Sequence, residues 1–251
     1  MSRVFVTGSA DGLGLLAARQ LVGDGHRVTL HARSEERAEQ ARRALPEADA
    51  VVVGDVSALD AMRSVAAQVD ALGRHDAVIH NVAVGYQEPR RIETADGLAH
   101  VFAVNVLAPY VLTVLIDRPS RLIYLSSGMH RSGRADVDDP QWVRRRWNGS
   151  RAYSESKLYD AMLSRAVARR WPDVRSNAVD PGWVPTRMGG RGAPDDLRLG
   201  ADTQAWLAVT DDPATGGYFY HREPHSAVPT TPEAEDALID YCAGLSGIPF
   251  P

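Results

Sequence analysis

The stretch Arg3–Gly14, which reads RVFVTGSADGLG, decides the fold. RVFV is typical of a short buried strand, and the glycines after it follow the pattern G-x-x-x-G-x-G at Gly8, Gly12 and Gly14. In such a turn the first glycine lets the chain leave the strand sharply and the second lets backbone approach a pyrophosphate. The third lets the next helix pack close to the sheet. The stretch therefore predicts a phosphate-binding loop that opens a helix with free N–H groups.

Beyond this loop, short β-branched runs alternate with stretches of helical character. Apolar strands joined by helices predict a parallel sheet that has helices on each side and right-handed crossovers. We therefore predict one α/β domain over residues 1–251, a single-domain Rossmann fold with a doubly wound parallel sheet of about seven strands. The predicted strands are residues 3–6, 27–30, 50–53, 76–80, 121–125, 174–179 and 217–220, and the predicted helices are residues 12–24, 34–45, 59–72, about 95–116, 151–171 and 232–243.

Composition excludes several classes of function. The formal net charge of −4 and the pI near 6.1 do not suit a surface that binds nucleic acid or an anionic membrane. The single cysteine, Cys242, cannot form an internal disulfide, and the amino terminus lacks an apolar signal segment, so we expect a cytoplasmic protein. The eight histidines show no metal-ligand spacing, and we expect no metal site.

The end of the second predicted strand, VTLHARSEERA, bears on which dinucleotide would bind. Sites that prefer NAD place an acidic residue here to hold the ribose hydroxyls, and this strand end has none. Arg33 and Ser34 follow instead and suit a 2′-phosphate, so we expect NADP(H) in preference to NAD(H). Two considerations oppose this: Asp11 in the glycine loop would repel a phosphate, and Arg33 could be a solvated residue at a helix start.

Asp55 follows the third predicted strand, in VVVGDVS. Its carboxylate could accept a hydrogen bond from an adenine amino group while the backbone of Val56 lies alongside. The alternative is that Asp55 caps the next helix, a role for which Ser57 competes.

The stretch AYSESK, Ala152–Lys157, places Tyr153 four residues before Lys157, so on a helix the two share one face. The charge of Lys157 favours the tyrosinate and should lower the phenol pKa from its usual value near 10. Tyr153 could then donate a proton to a developing alkoxide near neutral pH. Such a pair alone is also common on helix surfaces, so its neighbours decide between the two interpretations.

Two neighbours favour the functional interpretation. The fifth predicted strand ends in RLIYLSSGMH, where Ser127, or in the other register Ser126, could hydrogen-bond a substrate oxygen. Asn105 is an amide inside the otherwise apolar helix VFAVNVLAPYVLT. It is either a satisfied core residue or one that bends the helix and holds water on a proton path from Lys157.

Taken together, these motifs resemble the short-chain dehydrogenase/reductase family, and the resemblance runs nearly from end to end. SSGMH, the long spacing from Ser127 to Tyr153, and VDPGWVPT resemble its retinol dehydrogenase and protochlorophyllide reductase-like branch. The resemblance implies that Asn105, Ser127, Tyr153 and Lys157 are catalytic. It implies cofactor contacts at Gly8, Ser9, Gly12, Leu13, Gly14, Arg33, Ser34, Asp55, Val56, Asn81, Ala83, Tyr153, Lys157, Pro181, Gly182, Val184 and Thr186. One departure is HNVA, residues 80–83, whose last two side chains are bulkier than the family's alanine and glycine.

The resemblance implies an NADP(H)-dependent oxidoreductase that transfers hydride between nicotinamide and a small-molecule carbonyl or alcohol, with Tyr153 as general acid or base. We expect the substrate against residues 128–150 and 186–200, the latter as a candidate lid. Relatives often dimerise through the helices that bear Asn105 and Tyr153, so a homodimer is one expectation; the alternative is that an insertion before the tyrosine blocks that surface. The candidate apolar lining is Trp142, Trp147, Trp183 and Met188.

Two other functions compete with this one. A nucleotide-sugar epimerase or dehydratase would need a larger carboxy-terminal substrate domain than follows Gly182. A catalytically silent NADP-binding regulatory protein of the same fold would keep the dinucleotide site and lack an acceptor substrate.

Overall fold

The computed structural model describes residues 1–251 and contains one eight-stranded sheet with helices on both faces. The strand order is β3-β2-β1-β4-β5-β6-β7-β8, and all neighbours are parallel except the last pair. The strands are β1 (Arg3–Val6), β2 (Arg27–Ala32), β3 (Ala50–Val53), β4 (Ala77–His80), β5 (Arg121–Leu125), β6 (Arg175–Asp180), β7 (Tyr218–Tyr220) and β8 (Glu223–Pro224). The helices are α1 (Gly12–Gly23), α2 (Glu35–Ala44), α3 (Leu59–Ala71), α4 (His100–Phe102), α5 (Ala108–Leu115), α6 (Gly149–Arg170), α7 (Leu197–Val209) and α8 (Pro232–Ser246), with a π-helical turn (Ala103–Leu107) between α4 and α5 and a 3₁₀ turn (Gly128–Ser132) before α6.

β1 lies between β2 and β4. The strands from β1 to β3 are therefore added toward one edge of the sheet, and those from β4 onward toward the other edge. At this reversal, the loops that leave neighbouring strands separate and open a crevice at the carboxyl ends of the strands. The glycine loop after β1 and the segments after β4, β5 and β6 all meet at this edge.

Two apolar layers hold the helices to the sheet, one on each face. The larger layer packs α3, α5, α6 and α8 against one face through residues such as Met62, Tyr110, Met162 and Leu238. The smaller layer packs α1, α2 and α7 against the other face. Because both faces are covered, the strands carry apolar side chains in succession and do not alternate.

The predicted fold class is confirmed, with two additions to the predicted elements. Helix α7 was not predicted, because Gly200 and Asp202 interrupt its helical apolar pattern. Gly200 is needed there, since a Cβ would lie 2.7 Å from a methyl carbon of Val184. β8 is a two-residue antiparallel strand that pairs with β7. No helix has the combination of length and apolar character that crossing a bilayer would require.

The carboxy-terminal helix α8 lies across α6 and α5. Ion pairs join the exposed side of α6 to α8: Arg165 Nε lies 2.9 Å from Glu235 Oε1, and Arg169 Nη2 lies 2.9 Å from Asp236 Oδ1. Beyond the helix, the Tyr110 hydroxyl of α5 donates to the carbonyl oxygen of Ile248 over 2.7 Å. The outer faces of α5 and α6 are therefore packed against the chain's own carboxy terminus.

Candidate active site

A cavity of about 590 Å³ lies at the carboxyl ends of the strands, beside the glycine loop. Its wall combines aromatic and apolar side chains with a small set of polar groups, as ligand sites do. The apolar part is formed by Leu13, Tyr86, Met129, Trp183, Met188 and Tyr220, and the polar part by Ser127, Arg131, Tyr153, Asp180, Asp195 and His225.

The glycine loop has the geometry that a dinucleotide phosphate needs. Gly8 and Gly12 have φ angles of +63° and +58°, which favour glycine over residues with a Cβ. A Cβ added at Gly12 would meet no atom within 4 Å, so the backbone there is open to a ligand. No side chain caps the first turn of α1, which leaves its N–H groups and the positive end of the helix dipole available. The loop therefore fits a pyrophosphate.

Asn81 and Thr7 lock the glycine loop to the end of β4. Asn81 Nδ2 donates to the carbonyl oxygens of Thr7 and Gly8 over 2.9 and 3.1 Å. Thr7 Oγ1 accepts from the N–H groups of Asn81 and Val82 over 2.9 and 3.0 Å. In this structure Asn81 positions the loop, and the bulk of Val82 is accommodated because a glycine, Gly8, lies against it.

Replacing Gly14 by alanine should destabilise the fold. A Cβ at this position would lie 2.5 Å from Asn81 Nδ2 and 2.7 Å from the Gly8 carbonyl oxygen, inside the loop clamp. We expect the free energy of unfolding, measured by urea titration, to fall by about 1–3 kcal/mol. Gly23→Ala in the same helix is the matched control, because a Cβ there meets nothing within 4 Å and alanine favours the helix. Equal effects of the two substitutions would contradict the clamp.

His31 and Ser9 connect the glycine loop to β2. His31 Nδ1 accepts from the Gly8 N–H over 3.0 Å, and its Nε2 donates to the Gly54 carbonyl oxygen over 2.9 Å. Ser9 Oγ donates to Val6 and accepts from the His31 N–H. Burial lowers the pKa of His31, so the ring stays neutral and keeps this tautomer. Ser9, predicted as a cofactor contact, turns its hydroxyl into the protein, whereas His31 was missed.

The corner after β2 carries more positive charge than Arg33 alone. Arg33 and Ser34 are exposed, and Ser34 Oγ caps α2 by accepting from the Arg37 N–H over 3.3 Å. Arg37 Nη2 in turn lies 2.5 Å from Asp11 Oδ2. The Asp11 carboxylate, which was expected to repel a phosphate, is therefore paired with an arginine. Arg37 was missed because its contact with Asp11 joins two segments that are distant in sequence.

Asp55 and Val56 follow β3 at the same edge. Asp55 is exposed, and its Oδ1 accepts from the Ser57 N–H over 3.1 Å, which forms a local turn. Neither Asp55 nor Ser57 caps α3, since Ala58 is the N-cap residue and the Leu59 N–H donates to Asp96. The capping alternative is thus wrong, and Asp55 is left facing solvent next to the buried Val56.

Tyr153 lies at the cavity wall with 6% of its surface exposed. Burial raises the pKa of its phenol, and the Lys157 ammonium and a hydrogen bond with Ser127 lower it without cancelling that effect. Lys157 thus lowers the phenol pKa as predicted, but burial has the larger effect, and the net direction of the shift is upward. The side chain therefore stays a proton donor across the neutral range.

Lys157 is 2% exposed and lies one turn from Tyr153, with its Nζ 5.8 Å from the centre of the phenol ring. Its Nζ donates to the Leu125 carbonyl oxygen over 2.7 Å and to Asp160 Oδ2 over 2.8 Å. Two of its three donors are thus held by the protein. Asp160 is itself 2% exposed, and burial raises its pKa well above the usual range of a carboxyl group while Lys157 opposes the shift.

One buried hydrogen-bond network decides which of Ser126 and Ser127 faces the cavity, and it also holds the loop that carries them. Ser126 Oγ donates to the Lys157 carbonyl oxygen over 2.7 Å and faces away from the cavity, whereas Ser127 lies at the wall. His130 Nδ1 donates to the Ser127 carbonyl oxygen over 2.7 Å, and its Nε2 accepts from the Val228 N–H. The Tyr218 hydroxyl donates to the same Ser127 oxygen over 3.2 Å. His130 and Tyr218 therefore fix where Ser127 sits.

Asn105 occupies the π-helical turn, fully buried. Its Oδ1 accepts from the Val84 N–H over 2.8 Å, and its Nδ2 donates to the Val84 carbonyl oxygen and to Ser156 Oγ. Every hydrogen bond of the amide thus goes to protein, and it ties the loop after β4 to α6. The π-helical turn is a helix irregularity of the kind predicted for this residue.

The segment after β6 closes one side of the cavity. Gly182 has a φ of +79°, and its N–H donates to Asp180 Oδ1 over 2.9 Å. Asp195 Oδ2 accepts from the Trp183 N–H over 2.6 Å, and Thr186 Oγ1 accepts from the Gly189 N–H over 3.1 Å. Of the predicted cofactor contacts, Leu13, Tyr153, Pro181, Gly182, Val184 and Thr186 line the cavity.

Comparison with known proteins agrees with this geometry. The family model described as enoyl-(acyl carrier protein) reductase matches residues 8–212. An uncharacterized oxidoreductase of Emericella nidulans is 40% identical over 100% of this chain and 99% of its own. The short-chain dehydrogenase chyC of Penicillium rubens is 37% identical over 100% of both chains. This chain belongs to the short-chain dehydrogenase/reductase family. It is an oxidoreductase of that family.

More distant members extend the comparison. Human retinol dehydrogenase 13 is 32% identical over 74% of this chain and 60% of its own, in line with the branch that the motifs resemble. The crystal structure of an uncharacterized protein from Mycobacterium paratuberculosis superposes with a TM-score of 0.83 at 26% identity, over 100% of this chain and 95% of its own. A blue fluorescent protein from a metagenomic library, solved with NADPH, has the same fold at a TM-score of 0.72 and 22% identity, over 87% of this chain and 95% of its own.

Two of the four aromatic and apolar side chains predicted to line the substrate site of this short-chain dehydrogenase/reductase lie elsewhere. Trp183 and Met188 are at the cavity wall. Trp142 is buried and its Nε1 donates to Glu155 Oε2 over 3.0 Å, while Trp147 Nε1 donates to the Glu88 carbonyl oxygen over 2.9 Å. The two tryptophans pack edge to face and anchor the segment before α6, which is why they do not reach the cavity.

Proposed function

We propose that this protein is a cytoplasmic, NADP(H)-dependent oxidoreductase that interconverts a small-molecule carbonyl compound and its alcohol, with Tyr153 as the general acid or base. The observation that carries this proposal is the pairing of Tyr153 with Ser127 at the wall of one cavity, with the Lys157 ammonium one helical turn away. A protonated phenol beside a hydroxyl is suited to a carbonyl oxygen that gains negative charge.

The chain's own residues would act on the substrate oxygen. A nicotinamide bound at the carboxyl ends of the strands supplies the hydride that the carbonyl carbon gains. Ser127 donates a hydrogen bond to the carbonyl oxygen and holds it beside Tyr153, which gives that oxygen its phenolic proton. The tyrosinate then takes a proton back from solvent. Alcohol oxidation uses the same groups in reverse, with the tyrosinate as base.

NADP(H) is proposed over NAD(H) from the positive corner after β2. Arg33 is exposed there without a protein partner among the hydrogen bonds and ion pairs, Ser34 is adjacent, and Arg37 neutralises Asp11. The structural neighbour solved with NADPH is consistent with this choice. The same proposal assigns the pyrophosphate to the first turn of α1 and the adenine to the side of Asp55.

Replacing Arg33 by alanine should weaken NADPH binding about tenfold and leave NADH binding nearly unchanged. A charge-assisted hydrogen bond to a phosphate contributes about 1.5–3 kcal/mol to binding. NADH lacks the 2′-phosphate that would accept this bond, so its affinity should not change. Fluorescence titration of both dinucleotides measures the two dissociation constants. Arg43→Ala, an exposed arginine at the other end of α2, is the matched control. Parallel losses for NADPH and NADH would contradict the assignment of Arg33.

The substrate is proposed to lie between residues 128–150 and 186–200, within the single domain of residues 1–251. Met129 and Arg131 from the first segment and Met188 from the second are at the cavity wall. Residues 186–196 precede α7 and are exposed over much of their length, which suits a lid. Limited proteolysis should slow in this segment when NADPH and substrate are added, and an unchanged cleavage rate would contradict the lid.

The second candidate function is the catalytically silent NADP-binding regulator. It shares every cofactor contact and differs only in having no acceptor substrate, so the phosphate end of the site cannot separate the two functions. The separating experiment follows NADPH absorbance with a panel of aldehydes and ketones, including aromatic and polycyclic ones. Turnover of any member supports the enzyme, whereas tight NADPH binding with no turnover across the panel supports the regulator.

A further inference from the structure

We infer that the substrate of this site carries an ammonium group, which Asp180, Asp195 and Tyr220 bind while the carbonyl lies against Ser127 and Tyr153. The inference rests on the proposed function and adds to it the chemical class of the substrate. That class is an amino carbonyl compound, or the amino alcohol that corresponds to it. The two carboxylates and the ring determine specificity and take no part in hydride or proton transfer.

The two carboxylates and the ring converge around Gly182, at the cavity wall. The Gly182 N–H donates to Asp180 Oδ1 over 2.9 Å. A Cβ added to Gly182 would lie 2.6 Å from Asp195 Oδ2 and 3.4 Å from Tyr220 Cε2. Two carboxylates and the edge of one aromatic ring are therefore within contact of a single residue.

Each carboxylate keeps one oxygen free for a ligand. Asp180 Oδ2 and Asp195 Oδ1 accept no hydrogen bond from the protein, and solvent reaches both atoms. The other oxygen of each group accepts from the Gly182 or Trp183 N–H, which fixes the direction of the carboxylate. Neither carboxylate forms an ion pair, so the wall offers two oriented anionic acceptors that the protein's own cations leave unpaired.

The aromatic rings of the cavity favour the same charge. The aromatic residues at its wall are Tyr86, Tyr153, Trp183 and Tyr220. The face of such a ring attracts a cation, and aromatic rings are a common element of sites that recognise ammonium ligands. Burial raises the pKa of the Tyr220 phenol, and the charges of Asp195 and Asp180 raise it further. The field that disfavours a tyrosinate at this place would attract a positive group of the substrate.

Arg131 and the imidazole of His225 are the groups at the wall that can oppose a cation. Both side chains are exposed, and Arg131 Nη2 donates to the Ser226 carbonyl oxygen over 3.2 Å. Water and salt therefore screen much of the Arg131 charge. Asp180 and Asp195 are half-buried, so the wall stays negative beside Gly182, and an anionic substrate group is disfavoured there.

The alternative is that the two carboxylates serve only the chain itself or a bound nicotinamide. Their hydrogen bonds to the Gly182 and Trp183 N–H groups shape the segment after β6, and an asparagine oxygen can accept the same bonds. Asp180→Asn and Asp195→Asn therefore remove the charge and keep the local structure, which separates recognition of a cation from support of the loop.

The test compares two ketones of the same shape. At neutral pH para-(aminomethyl)acetophenone carries an ammonium group, and para-ethylacetophenone has a methyl group in its place. We expect kcat/KM for reduction with NADPH to favour the ammonium ketone about tenfold, mainly through KM, because the contact lies away from the reacting carbon. Asp180→Asn and Asp195→Asn should each lower this ratio about threefold or more, and the double variant should bring it near one.

Asp211→Asn is the matched control. It also removes one negative charge, but Asp211 is fully exposed and lies 4.0 Å from Arg121 at the start of β5, at the opposite edge of the sheet. Its ratio should match that of the wild type. The inference is overturned by a wild-type ratio near one, by a preference for para-(carboxymethyl)acetophenone, or by asparagine variants that keep the wild-type ratio. If one asparagine variant does not fold, the wild type and the other variant decide.

A second measurement needs no turnover. The alcohols that correspond to the two ketones are titrated into the protein together with NADPH, a mixture in which no hydride can be transferred, and calorimetry gives their dissociation constants. The amino alcohol should bind about tenfold more tightly than the ethyl alcohol, and this difference should shrink in Asp180→Asn and Asp195→Asn.

The two proposals fail differently. If no carbonyl compound is reduced, the proposed function fails, but the alcohol titration still tests the ammonium site. If both ketones are reduced equally well and both alcohols bind equally, the proposed function stands and the ammonium site is lost. If the asparagine variants change the affinity for NADP⁺ and leave the preference between the ketones unchanged, the carboxylates act on the nicotinamide and the inference is wrong.

Discussion

Tyr153→Phe should lower kcat for carbonyl reduction by about 10³-fold while the dissociation constant for NADPH stays within a few-fold of the wild type. The substitution removes the hydroxyl that we propose protonates the substrate oxygen and leaves the ring in its packed position against Tyr86. Steady-state kinetics with a substrate found in the carbonyl screen, together with fluorescence titration of NADPH, measure the two quantities.

Tyr159→Phe is the matched control for this prediction. Tyr159 lies on the same helix and is 1% exposed, and its hydroxyl donates to the Asp136 carbonyl oxygen away from the cavity. We expect a small loss of stability and turnover close to the wild type. Wild-type rates in the Tyr153→Phe protein would show that another group delivers the proton.

The second large effect concerns stability. Lys157→Ala should lower the free energy of unfolding by about 3–5 kcal/mol at neutral pH, because the buried Asp160 carboxyl group must then either stay charged without its partner or take up a proton. The loss should also depend on pH. Without the ammonium, burial alone acts on Asp160 and raises its folded pKa further above the unfolded value near 4. The folded state then holds the proton more tightly, so the free energy of unfolding falls as pH rises between the two values.

Urea titrations over a range of pH measure this effect, and Lys157→Ala combined with Asp160→Asn is the control. The double variant has no buried charge at this position, so its stability should exceed that of Lys157→Ala and lose the extra pH dependence. A Lys157→Ala protein that is as stable as the wild type at pH 8 would contradict the ion pair as a structural element.

Local features explain why much of this molecule was predictable. The strands β1, β3 and β5 were predicted to the residue, since each is a compact apolar run bounded by turn residues. The glycine loop was predictable because its positive φ angles demand glycine at fixed spacing. Tyr153 and Lys157 could be placed together because helical periodicity brings residues four apart onto one face.

The unpredicted features depend on contacts between segments that are distant in sequence. Helix α7 is helical although Gly200 weakens its pattern, because close packing against Val184 compensates. Since β6 and β7 are parallel neighbours, the chain between them must cross over the sheet, usually as a helix. That requirement is the sequence-level signal that could have predicted α7. Asp160 lies three residues after Lys157 in the sequence, but that spacing alone does not show that the two side chains are buried together as an ion pair. The raised pKa of Tyr153 likewise depends on burial, which the sequence does not report.

Helix α8 bears on how firmly the helix that carries Tyr153 is held. Leu238, Ile239 and Cys242 of α8 belong to the same apolar layer as buried residues of α5 and α6. The arginine–carboxylate pairs along α6 then fasten α8 over that layer. The tail of the polypeptide thus braces the helix that carries Tyr153, so we expect that deleting α8 would loosen that helix.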